Sequence, residues 1–162
     1  MILNFLRKLI PDVRNQVVRW ALKGVAERAD FDYLEVRPLP FDWKPRIKSD
    51  CSFFVNLVYY MAGARSPMGQ FDGYGNSDTL FQRGKHILQK QLHRGDVITF
   101  GAGGSIHAVI VVQVAPDPLC ASMGKQGDPS LVRLSVLEGL GAPTFLRFST
   151  INRRLRPSRK QH

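Results

Sequence analysis

Two periods of apolar residues run along this chain, and the change from one to the other divides it. In residues 12–30, Val13, Val17, Trp20, Ala21 and Val25 recur at helical spacing behind Asp12, a residue suited to capping a helix start. Pro11 separates this helix from an apolar start, residues 1–10, in which Arg7 and Lys8 interrupt the run. Charge inside a short apolar stretch predicts an amphipathic helix packed on the domain, with contact to a membrane surface as the alternative, and neither a secretory signal nor a membrane span. Residues 31–48 lose the period, and Pro38, Pro40 and Pro45 predict an extended, irregular segment. Residues 50–63 then read as a buried helix of about three turns, capped by Asp50 and stopped by Gly63.

Residues 64–77 are rich in Gly, Pro, Asp and Asn and predict an exposed loop, followed by a short helix over residues 77–84. Beyond Gly95 and Asp96 the pattern turns to strands: residues 97–100 and residues 107–114, joined by a glycine-rich turn, predict an antiparallel hairpin. Apolar pieces at 119–122, 131–137 and 144–149 extend the sheet. Helices first and strands second predict an α+β fold with helices laid on an antiparallel sheet.

At 162 residues the chain has the length of one domain, with 44% hydrophobic and 22% charged residues, ordinary values for a globular protein. The net charge is +10, which favours an anionic partner such as a wall polymer, a lipid surface or nucleic acid. Nucleic acid has charge alone in its favour, since no binding motif accompanies it. The tail from about residue 153 adds Arg153, Arg154, Arg156, Arg159 and Lys160 without an acidic residue, either an anion-binding arm or a solvated chain end. Cys51 and Cys120 are too few for a disulfide scaffold and lack metal-site spacing, so neither metal nor other cofactor is expected.

Cys51 stands at the first turn of a helix, where unpaired N–H groups and the helix dipole favour a thiolate. A cysteine in an apolar stretch is otherwise a small buried hydrophobe. A nucleophile needs a base, and of His86, His93, His107 and His162 only His107 opens an apolar strand after a glycine-rich turn. That position also suits a histidine that is simply packed at a strand edge.

Asp50-Cys51-Ser52, then Gly95-Asp96-Val97-Ile98-Thr99-Phe100, then His107-Ala108-Val109-Ile110-Val111 resembles the NlpC/P60 family of papain-like cysteine peptidases. The resemblance covers residues 13–154 and is greatest to the branch of actinobacteriophage lysins, with Tyr33 and the segment Phe71-Asp72-Gly73-Tyr74-Gly75 in the expected order. It implies a hydrolase of peptidoglycan stem peptides: Cys51 the nucleophile, His107 the base, the N–H at Cys51 part of an oxyanion site. Tyr33, Asp50 and Ser52 would bind substrate by holding the free amino end of the stem peptide. The place of action would be the cell wall or a virion, with other virion proteins as further partners, after synthesis in a host cytoplasm without a signal peptide.

Two positions depart from that pattern. The third polar residue, which orients the imidazole, falls at Met123 in Ser122-Met123-Gly124, and a thioether is too weak an acceptor for the role. By the strand period Ser122 is expected to face away from the imidazole, leaving Gln126 or Asp128 to reach back, with Gln126 the candidate. Phe53 stands where a small residue is expected. These departures make a catalytically weakened or inactive binding module of a phage particle the alternative to the hydrolase.

Overall fold

The structure, a computed structural model, describes residues 12–125 and 127–149. The expected helix of residues 1–10, the tail from 153 and Gln126 lie outside the described residues. Helix α1 spans Val13–Ala26, and the Asp12 side chain accepts a hydrogen bond from the Arg14 amide at its start. It ends earlier than the apolar spacing suggests, because the chain tightens into a 3-10 turn at Arg28–Asp30. Val13, Val17, Val18, Ala21 and Gly24 form its buried face. Gly24 is a point of close approach: a Cβ there would stand 2.7 Å from Phe54 Cε2 of the next long helix.

Strands β1 (Phe31–Tyr33) and β2 (Ile47–Ser49) pair in parallel, with Tyr33 opposite Ser49. Both lie where an irregular segment is expected. Three-residue strands carry no readable period, and their pairing is decided by tertiary contact across the proline-containing loop. Their ends bring Tyr33 beside the start of α2 (Cys51–Met61). Every residue of α2 from Ser52 to Tyr59 is buried, as suits a helix apolar on all sides. The Tyr59 hydroxyl donates to the Gly95 carbonyl at 2.9 Å, tying α2 to the turn that leads into the sheet. Tyr59→Phe leaves that buried carbonyl without this donor and is expected to cost about 1 kcal/mol in urea denaturation. A variant as stable as the parent would remove the bond from the account.

Helix α3 (Ser77–Arg83) starts in a capping box between Asn76 and Thr79. The main sheet then forms from β3 (Lys85–Ile87), β4 (Val97–Phe100), β5 (His107–Gln113), β6 (Leu119–Met123), β7 (Pro129–Arg133) and β8 (Pro143–Arg147). Its order is β3-β8-β4-β5-β6-β7, antiparallel throughout, so the α+β expectation holds. The last strand slots between β3 and β4, a placement no local pattern announces. The apolar piece 131–137 is divided: β7 ends at Arg133 and a short helix α4 (Leu134–Leu137) follows.

Two cores sandwich the sheet. On one face Ala108, Ile110, Val112, Ala121 and Met123 pack with Phe54, Leu57 and Val58 of α2 and Val17 and Ala21 of α1. On the other, Ile98, Phe100, Val109, Val111 and Cys120 pack with Leu92, Leu134 and Leu137. Burial pushes the Cys120 thiol up to about 12, so it is an inert apolar filler. Among the described residues no helix is long and apolar enough to cross a membrane, and no cluster of ligands could hold a metal ion.

Candidate functional site

A groove of about 450 Å³ opens where the start of α2 meets the β1–β2 pair and the turn before β5. Tyr33, Asp50, Cys51 and Ser52 line it, as their sequence order suggests. Asp50 is the N-cap of α2: its Oδ1 accepts from the Phe53 amide at 2.8 Å and from the Ser52 hydroxyl at 3.0 Å. The Tyr33 hydroxyl donates to Glu35 Oε1 at 2.8 Å, and burial foremost, then that bond, raises its pKa.

Cys51 is half-buried at the first position of α2. A helix start by itself favours the thiolate. Here burial and then the Asp50 carboxylate push the thiol up to about 11, outweighing the backbone N–H groups of Ala108, Ser52 and Cys51 that pull the other way. The sulfur is held at a groove but kept neutral.

His107 does not line this groove; Ile106 does. In β5 the side chains alternate, and His107 sits opposite Phe100, on the face of Ile98, Val109 and Ser122. Its ring lies 6.2 Å from that of Phe100, and its Nε2 is hydrogen-bonded to Ser122 Oγ at 2.7 Å. The Cys51 helix packs on the other face, against Ala108 and Ile110. The Ala108 backbone N–H next to His107 bonds toward the Cys51 thiol, so the start of β5 adjoins the start of α2 while the His107 ring is turned toward Phe100 and Ser122. Burial holds the His107 imidazole at a pKa of about 4, against an upward pull from Asp50, so it is neutral at pH 7.

The expectation for Ser122 needs the same correction. Ser122 does point away from Met123, but so does the imidazole, and the register that sets Val109 against Ser122 makes His107 its diagonal neighbour. Met123 is fully buried on the α2 face. Phe53 is buried and packs at a tilt against Phe41, 4.8 Å between ring centres, so it turns inward and leaves the groove open. Asp128 pairs with Arg28 at 3.7 Å, away from any role as an orienter.

Two groove residues escape sequence reasoning. Ile106 is 55% exposed, and its apolar type in a turn gives no signal. Arg37 stands in the proline-containing segment, and nothing local shows that its Nη2 donates to Asp50 Oδ2 at 2.5 Å and to Ser52 Oγ at 3.3 Å.

No protein-family model matches the sequence, and no curated protein matches it. Solved structures do resemble it. RipD of Mycobacterium tuberculosis, described as a non-catalytic NlpC/p60 domain protein adapted to peptidoglycan binding, superposes with a TM-score of 0.57 at 15% identity, over 85% of this chain and 98% of that one. The peptidoglycan hydrolase RipB of Mycobacterium tuberculosis gives 0.56 at 18%, over 86% and 69%. The P60 domain of an antigen of M. avium subspecies paratuberculosis gives 0.54 at 21%, over 83% and 96%. The chain has the fold of NlpC/P60 domains.

Proposed function

We propose that this chain, on its NlpC/P60 fold, is a peptidoglycan-binding module that recognises stem peptides in the Cys51 groove without hydrolysing them. One observation carries the reading: the His107 ring is turned toward Phe100, with its Nε2 bonded to Ser122 Oγ. A thiol held near pKa 11 is a poor nucleophile at neutral pH. The description of RipD as non-catalytic and adapted to peptidoglycan binding supports the same reading. So does charge: seven of the 23 basic residues and none of the 13 acidic ones lie in residues 1–11 and 150–162, which suits attraction to an anionic wall. The block order shared with actinobacteriophage lysins supports a place in a phage particle or lysin.

The test is sedimentation with purified sacculi, alongside an assay for newly released amino groups. Binding without release is expected, and Cys51→Ala is expected to bind within about twofold of the parent, because the neutral thiol adds no charge to the groove. Release of amino groups that Cys51→Ala abolishes would overturn the reading in favour of a hydrolase. That second reading has its own support, a sulfur at an open groove with backbone N–H groups directed at it.

A further inference from the structure

The family resemblance implies that Tyr33, Asp50 and Ser52 hold the amino end of a peptide, a role that requires a carboxylate free to face an ammonium. In this groove the carboxylate is already taken. Asp50 Oδ1 is occupied by the Phe53 amide and the Ser52 hydroxyl, and Oδ2 receives Arg37 Nη2 at 2.5 Å. The same Nη2 reaches Ser52 Oγ at 3.3 Å, so the ammonium-binding pair of side chains is bridged by a resident cation. The guanidinium is held in place: Arg37 Nε donates to the Gly75 carbonyl at 3.0 Å, and its Cζ sits 6.0 Å from the centre of the Phe53 ring. Its side chain is 18% exposed, enough to meet a ligand and too enclosed to swing away.

What remains for a ligand is cationic. Arg37 Nη1 has only a 3.5 Å contact to the Glu35 carbonyl oxygen and is the least engaged donor of the fork. Across the groove Lys125, 84% exposed, pairs with Glu35 at 3.9 Å, a contact at the limit of ion-pair range in solvent that costs little to exchange. Arginine held on a second carboxylate is a preorganised site for a carboxylate, since its planar fork matches two oxygens.

We infer that Arg37 is the specificity determinant of the groove: it neutralises the Asp50 site against amino groups and, with Lys125, selects a carboxylate of the bound peptide. The inference rests on the binding-module reading and names the ligand chemistry of that same groove.

The test uses the full chain and a diaminopimelate-containing tetrapeptide in three forms: unblocked, with its amines acetylated, and with its carboxylates amidated. Calorimetric titration is expected to show acetylation changing the Kd by less than about twofold and amidation raising it about tenfold or more. Arg37→Leu should erase the penalty for amidation and create one for acetylation, because Asp50 is then free for an ammonium. Lys125→Gln, an exposed change that leaves folding alone, should weaken the unblocked peptide about threefold. Loss of binding on acetylation with none on amidation would overturn the inference while the module still sediments with sacculi. Failure to bind both sacculi and every peptide form would overturn the binding-module reading, and the inference with it.

Discussion

Ile106→His is expected to raise the alkylation rate of Cys51 at pH 7 by about 100-fold or more. At a pKa of about 11 the native thiol is ionised to about one part in 10⁴ at neutral pH, and the thiolate is the reactive form. Ile106 lines the groove with Cys51, whereas the neighbouring His107 turns its ring toward Phe100 and Ser122. A histidine at 106 would stand on the groove side of β5, and being 55% exposed the position tolerates the change. Bringing the thiol back only to its ordinary pKa of 9 multiplies the thiolate fraction about 100-fold, and an adjacent imidazolium lowers it further. Iodoacetamide labelling followed by peptide mass analysis reads Cys51 apart from the buried Cys120. Equal labelling rates in parent and variant would mean that residue 106 does not face the sulfur.

His107 makes the native state acid-sensitive in a definite window. Its pKa falls from 6.5 to about 4 on folding, chiefly through burial. Above pH 6.5 neither folded nor unfolded chain binds the proton, and nothing is lost. As pH falls below 6.5 the unfolded chain takes up a proton that the native one refuses, so stability drops with acidification until about pH 4, where both are protonated. The loss is about 1.4 kcal/mol per pH unit and about 3 kcal/mol in all. His107→Gln retains a donor for Ser122 but no titration, and should remove this slope. Urea denaturation at pH 7, 6, 5 and 4.5 measures it. The carboxylates Glu27 and Asp32, whose own pKa values are lowered chiefly by hydrogen bonds from Lys23 and Lys48, act in both proteins and cancel in the comparison. Parallel curves for parent and variant would mean that His107 is not buried as a neutral ring.

Part of the site is legible in sequence because it is local. Asp50, Cys51 and Ser52 come together by cap geometry: an aspartate before an apolar helix must accept from the first-turn amides, and Cys51 is then held at that helix start. His107 is different. Residues 108–112 of β5 are all apolar and buried on both faces, so the alternation that would tell one face from the other is silent. A one-residue change of phase decides whether residue 106 or 107 looks into the groove, and only the packing of α1 and α2 on Ala108 and Ile110 fixes it. The partnership of His107 with Ser122 follows from that phase together with the β5–β6 register.

Arg37 was hidden for a related reason, since its partner Asp50 lies 13 residues away beyond a proline-containing loop that carries no period. The β1–β2 pair and the insertion of β8 between β3 and β4 were equally invisible, being contacts made across the chain. The buried helix with its capped cysteine, the strand hairpin and the α+β class are local properties, because caps, turns and apolar runs act within a few residues. The tertiary structure alone decided which face each strand residue meets and which charge reaches Asp50, because a side chain's direction across a doubly buried sheet depends on what packs against it.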